Sequence, residues 1–264
     1  ERLRGWRRIL TTEQPADETR SRIRQVLDSL ILHLHPTRVP AGALRITYTW
    51  GLGGICATLA TILAVTGVLL MFRYEPTVDR AYASIQELEA EVVFGSLIRG
   101  VHHWSATLLV VTSVLHMVRV FLSGGFKQGR FTNWLVGLGL LALVLAFEFT
   151  GFLLPWDQLA YWAMTVVSTM ISYVPLAGKA LSRMVVAGPE VGQGTLSNFY
   201  AFHVALLPAV GIAAISYHFW RVRKDGGISR PRRWEDDPEE YGTTIPNLVR
   251  IEAAVAAVVI TLVV

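Results

Sequence analysis

Five of the seven histidines lie inside long apolar stretches, and four of them form two pairs: His102 and His116, fourteen positions apart, and His203 and His218, fifteen apart. The first pair sits in a run of 19 residues without formal charge, closed at its ends by Arg99 and Arg119. Fourteen positions advance an α-helix by nearly four turns, or ~21 Å, at about 100° per residue. Both imidazoles therefore share roughly one face, at two depths of a segment long enough to cross a bilayer. A histidine surrounded by hydrocarbon needs a partner. Two pairs at two depths match what two haems with paired imidazole ligands require, and iron with both axial positions filled suits electron transfer rather than oxygen binding. The plainer reading is hydrogen bonding between helices, with glycines serving only as packing residues. Against it stands a repeat on two further segments: Gly53 and Gly67, and Gly137 and Gly151, are each fourteen apart. A flat macrocycle wedged between helices needs close backbone approach, which glycine allows. His103 adjoins a ligand but points ~100° away, and is read as a non-ligand.

The elements that must hold these residues are membrane spans. The chain has 264 residues, 52% of them hydrophobic, with a mean hydropathy of +0.43, too apolar for an ordinary soluble domain. Spans are predicted at Trp50–Phe72, at about 95–122, at Trp134–Leu154, and near 195–220 with Pro208 inside it. A fifth apolar run starts at Ile245. A short helical pattern occupies Ala81–Val93. Between spans three and four, 158–187 carries apolar stripes interrupted by Pro175, Gly178 and Lys179, which fit two helices along the outer surface. Ile23, Val26, Leu27, Leu30, Ile31 and Leu34 recur at helical spacing opposite Arg20, Arg22 and Arg24, an amphipathic interfacial helix; His33 and His35 after it read as solvated. The expected organisation is an N-terminal segment 1–48, a four-span di-haem domain 49–222, a loop 223–244, and the start of a fifth span at 245–264. The fold class is an all-α membrane protein built on a four-helix haem bundle.

Charge orients this bundle. Nineteen of the 24 Lys and Arg fall in 1–48, 119–133 and 221–250, whereas 73–99 and 155–190 hold five, beside an acidic cluster at Glu87, Glu89 and Glu91. By the positive-inside rule the N-terminus is on the cytoplasmic, or equivalent negative, side of a bacterial inner or thylakoid-type membrane. The basic excess reports topology, so a nucleic-acid partner is not expected. One cysteine, Cys56, excludes disulfides and thiolate clusters within the chain. The charged opening residues show no signal-peptide pattern.

The chain resembles cytochrome b, the di-haem, quinol-handling subunit of Rieske/cytochrome b complexes, and looks most like the shorter chloroplast and cyanobacterial form. The resemblance spans roughly 39–230. It rests on Gly-Gly-Ile at 53–55, Tyr74-Glu-Pro-Thr-Val78, Arg99-x-x-His102, Trp104-Ser-Ala106, Leu115-His-x-x-Arg119, Gly124-Gly-Phe126, Thr150-Gly151, Leu154-Pro-Trp-Asp-Gln158, Tyr161-Trp162, Phe199-Tyr-x-x-His203 and Leu207-Pro208, and on the fifteen-residue gap from His203 to His218. It implies two non-covalent haems b: a low-potential one on His102 and His203 near the outer face, and a high-potential one on His116 and His218 near the inner face. Arg99 and Arg119, one turn from a ligand, would pair with haem propionates or mark the membrane edge, roles that are compatible. The resemblance further implies a subunit, inactive alone, of a quinol–cytochrome c-type oxidoreductase in a respiratory or photosynthetic chain. Quinol would be oxidised near Pro155 and Trp156, one electron going to a Rieske iron–sulfur protein and on to a c-type cytochrome. The other would cross to a quinone at the inner face, with proton translocation. The family is dimeric, so a homodimeric complex is expected.

Departures from the family are informative. The chloroplast form tethers an extra haem through a cysteine early in span one; aligning Leu52-Gly-Gly54 puts Gly51 there, so no covalent haem is expected, and Cys56 reads as a small core residue. The family's Pro-Glu-Trp-Tyr-like motif is absent, so the outer quinol site needs a second cytochrome b half, as a separate chain or a continuation of this one. Glu148 is the only acid inside a span; it is either a proton relay for quinol or a buried, protonated acid bonded to a neighbour. Arg221, Lys224 and Asp225 follow His218 near the inner quinone site, where a lysine–aspartate pair would deliver protons, or they are solvated loop charges. Two rivals remain: the di-haem anchor of another dehydrogenase, which would lack the Pro-Trp-Asp-Gln turn, and a scaffold or transporter without haem.

Overall fold

A computed structural model describes residues 49–127, 129–225, 227–228 and 253–261. The amphipathic pattern at 19–34, His33, His35 and most of 223–252 lie outside the described residues. In chain order the helices are α1 (Leu52–Met71), α2 (Ala81–Glu91), α3 (Gly95–Leu122), α4 (Phe131–Leu153), α5 (Gln158–Ser172), α6 (Gly178–Val186), α7 (Gln193–Ala201), a π-helical turn (Phe202–Leu206) and α8 (Leu207–Lys224); 253–261 is also helical. Among the described residues four segments are long and apolar enough to cross a membrane: α1, α3, α4 and Gln193–Lys224. They carry large exposed apolar side chains such as Val65, Val111, Leu145 and Ile212, the surface of an integral membrane protein. Several hydroxyls inside the spans turn back onto their own backbone: Thr58 donates to the Gly54 carbonyl, Thr61 to Ala57 and Thr112 to Leu108, which satisfies them without a partner from lipid.

α1 packs most extensively along α3, while α4 packs against both α3 and α8. α2 closes onto α3 through Gly95, where a Cβ would fall 1.9 Å from the Leu88 carbonyl oxygen; only glycine permits that approach. The best-buried apolar cluster is at the Pro155 end: Leu153, Ala160, Met164, Val186 and Phe199 join α4 through α7. There Tyr74 donates its hydroxyl to the Leu154 carbonyl at 2.6 Å, and its ring lies 5.6 Å from that of Tyr200. Gln193 accepts from the Val78 amide and donates to the Pro76 carbonyl, tying the 73–80 connection to the start of α7. Burial pushes the Tyr74 phenol above its ordinary value, and Arg80 holds the exposed Glu75 carboxyl below its own. Arg80 bridges Glu75 and Glu87 on that surface.

Two boundaries differ from the sequence reading. α4 starts at Phe131, three residues early, and the last span runs to Lys224. Arg221, Arg223 and Lys224 are thus the final turn of a helix and not a loop, because cations are stabilised where the helix dipole is negative.

Candidate haem sites

Each histidine of the two pairs rests against a glycine of a neighbouring helix. A Cβ on Gly67 would fall 3.2 Å from His102 Cε1, and one on Gly151 2.8 Å from His203 Cε1. At the other level a Cβ on Gly53 would fall 3.5 Å from His116 Cε1, and one on Gly137 3.9 Å from His218 Cε1. One residue from each of four helical segments therefore meets at each depth. At the level nearer Pro155 these are Gly67, His102, Gly151 and His203. Nearer Arg119 they are Gly53, His116, Gly137 and His218. His103 is exposed, with its ring 5.5 Å from that of Trp104, and it meets none of the four glycines.

The fifteen-residue gap on the last span is reconciled with fourteen by the π-turn. His203 sits inside it, and the Leu207 amide reaches back to the Phe202 carbonyl, five residues away. Pro208 explains the turn: it has no N–H to offer the Val204 carbonyl, and its ring would clash with that oxygen in a regular helix. One residue is absorbed without net rotation, so His218 returns to the phase that a fourteen-residue gap would give.

Two threonines unassigned by the sequence reading orient the rings nearer Pro155. Thr66 Oγ1 lies 2.8 Å from His102 Nδ1, and Thr150 Oγ1 lies 2.9 Å from His203 Nδ1. Each hydroxyl already donates its proton to a carbonyl one turn back, Thr66 to Ile62 at 2.7 Å and Thr150 to Ala146 at 2.8 Å. The oxygen can then only accept, so both imidazoles carry hydrogen on Nδ1 and present a lone pair at Nε2. The two ring centroids are 6.4 Å apart, about the separation at which two imidazoles share one metal ion at roughly 2 Å per bond. The sequence signal was available: Thr66-Gly67 and Thr150-Gly151 are the same dipeptide, each threonine thirteen residues after the first glycine of its helix.

The residues fit haem. There are two imidazoles per level with free Nε2 positions at the Pro155 end, and glycine wherever a side chain would meet a ring. No group of three His, Cys, Asp or Glu that could hold a bare ion occurs among the described residues.

The remaining candidates are placed as follows. Arg99 pairs with Glu89 of α2. Arg119 lies with its guanidinium 5.9 Å from the Trp50 ring centre. Glu148 is half-buried on α4 and makes no hydrogen bond or ion pair among the described residues, so the neighbour expected to hold it as a bonded acid is not found there. Pro155 ends α4, and Trp156 adopts a left-handed backbone at φ 52°, a costly conformation for an aromatic residue of the kind concentrated at functional turns. Asp157 then caps α5 by accepting from the Ala160 amide at 2.8 Å. The expected lysine–aspartate pair is replaced: Asp225 pairs with Arg221 at 3.1 Å, and Lys224 sits 4.9 Å over the Trp220 ring. The i, i+4 spacing puts Arg221, not Lys224, on the aspartate's face. Cys56 is half-buried, its thiol directed at Thr112. Gly51 lies against Val255 of the 253–261 helix, its φ of +62° one that suits glycine.

Comparison with known proteins agrees with this geometry. Residues 39–226 match the family model described as "Cytochrome b/b6/petB". The chain is 43% identical over 180 residues to cytochrome b6 of Emiliania huxleyi, covering 68% of this chain and 83% of that protein. It is 43% identical over 197 residues to cytochrome b6 of Heliobacterium modesticaldum, covering 75% and 90%. Among solved structures, a chain of "Hyperthermophilic respiratory Complex III" shares the fold with a TM-score of 0.77 at 24% identity, over 93% of this chain and 65% of its own length. With histidines, glycines and spans in this arrangement and a family match over most of its length, the chain belongs to the cytochrome b/b6 family and is a haem b protein of the membrane.

Proposed function

We propose that this chain is the di-haem subunit of a bc-type quinol:acceptor oxidoreductase, moving electrons across the membrane between an outer quinol-oxidising site and an inner quinone-reducing site. The observation that carries the reading is the doubled constellation of two histidines and two glycines at each of two depths. Haem held by paired histidines would supply one-electron chemistry suited to electron transfer. The chain supplies the rest. His102 and His203 would hold one group, His116 and His218 the other, and Gly53, Gly67, Gly137 and Gly151 leave room for flat rings between helices. Arg99 and Arg119 stand near the membrane edges, where their guanidinium groups suit propionates.

Quinol oxidation releases two electrons and two protons. Pro155 and Trp156 form the turn beside which quinol would bind, and Glu148, which makes no hydrogen bond or ion pair among the described residues, is the group available to take a proton there. At the opposite end Arg221, Lys224 and Asp225 would serve quinone reduction. Support comes from buried polar atoms at that end that have no partner among the described residues: Asn133 Oδ1, Trp134 Nε1, Arg221 Nε and Asp225 Oδ2, groups that native proteins leave so only when something else satisfies them. The partners would be a Rieske iron–sulfur protein, a c-type cytochrome or equivalent acceptor, and a second cytochrome b half, in a homodimeric complex with the N-terminus on the cytoplasmic side.

The test is redox titration of the purified membrane complex with optical detection. Two components are expected, one lost in His102→Ala and the other in His116→Ala, with a Rieske protein co-purifying. A single component rejects two haems. Two components with a dehydrogenase in place of the Rieske protein favour the di-haem anchor. A spectrum without haem bands ends the reading.

A further inference from the structure

The two histidine pairs differ in what stands behind them. His102 and His203 each donate Nδ1–H to a threonine hydroxyl whose own proton is committed to a carbonyl. Among the described residues neither His116 nor His218 has such an acceptor: no hydrogen bond is made by the His116 ring, and His218 Nδ1 is buried without a partner. The threonines come from α1 and α4, the helices that also carry the paired glycines, so one Thr-Gly dipeptide both admits the ring edge and receives the ring proton. Other span hydroxyls, such as those of Thr58, Thr61 and Thr112, bond back to their own helix and face no histidine.

We propose that Thr66 and Thr150 are positioning residues that lower the reduction potential of the haem site nearer Pro155 relative to the site nearer Arg119. A proton donor on Nδ1 drawn toward an acceptor makes the opposite nitrogen more basic. A more basic axial ligand stabilises the oxidised iron over the reduced iron, and second-shell hydrogen bonding is one of the protein's levers on haem potential. Because both ligands of one site have this acceptor and neither ligand of the other does, the effects add at one level only and set the sign of the difference. Electrons entering at the Pro155 end are thereby given a downhill direction toward the Arg119 end. The hydroxyls also hold both rings against rotation, so the two imidazole planes keep a set angle.

This inference rests on the two-haem reading, and one experiment separates the two. The intact complex is titrated as wild type and as Thr66→Val and Thr150→Val, following the component that His102→Ala removes, with electron paramagnetic resonance of the oxidised state recorded alongside. Each valine is expected to shift the oxidised-to-reduced ratio of that component toward reduced by about tenfold at fixed potential, about 59 mV for one electron. Its resonance should broaden, and the other component should not move. Thr66→Ser and Thr150→Ser, which keep the hydroxyl, should restore the wild-type value. Where a valine variant fails to assemble, alanine at the same position replaces it, with the same upward shift expected and serine as its control. No shift in the followed component, or equal shifts in both, overturns the proposal while leaving two haems intact. A single component in the wild type overturns both.

Discussion

At the residue scale the glycines make the sharpest statement, because their clearances are graded. The position 151 Cβ would meet the His203 ring at 2.8 Å, and that ring is held from behind by Thr150, so it cannot swing away. Gly151→Ala should therefore lose most of the haem component at that level, with an overpacking cost of about 1–3 kcal/mol. Gly53→Ala, with 3.5 Å to His116, should retain its haem at reduced occupancy or unchanged; haem content per protein by pyridine haemochrome measures both. Glu148 yields a second residue-scale prediction. If it accepts a proton from quinol, Glu148→Gln should slow quinol oxidation and remove the acidic limb of its pH profile while leaving both haem potentials in place. An unchanged profile would dismiss the relay.

At the element scale the π-turn decides whether the last span works as a ligand carrier. A fifteen-residue gap in a regular helix would turn His218 about 100° out of phase with the fourteen-residue gap of α3; the turn around His203 removes that error. Inserting one alanine after Gly211, below the turn, should reintroduce it. The component nearer Arg119 is then expected to vanish from the titration while the component nearer Pro155 stays. The 73–80 connection is the other element with a defined task, since Tyr74 holds the Leu154 carbonyl just before the Pro155–Trp156 turn. Tyr74→Phe removes a hydrogen bond of about 1 kcal/mol. It should raise KM for quinol without altering the haem spectra, the signature of a displaced substrate turn.

At the scale of the whole molecule, the distribution of Lys and Arg predicts an orientation in the membrane. A cysteine placed at Lys127 should label from the cytoplasmic side of sealed vesicles and one at Lys179 from the opposite side; the reverse pattern would invert the topology. Much of this architecture was legible in the chain as a string. Four spans follow from length and hydropathy, because lipid permits only self-satisfied helices. The alignment of the histidines with the glycines follows from a fourteen-residue repeat, because a helix returns to nearly the same face after four turns. The surface helices follow from stripes too interrupted to cross. Three things were decided only when the helices met. The acceptors behind His102 and His203 come from other helices, 36 and 53 residues away in sequence, and spacing within one helix cannot report a contact between two. Asp225 takes Arg221 rather than Lys224 because the helix continues past the point where composition suggested a loop. The phase of His218 depends on a local departure from 3.6 residues per turn, which Pro208 foreshadows and which the folded backbone makes explicit.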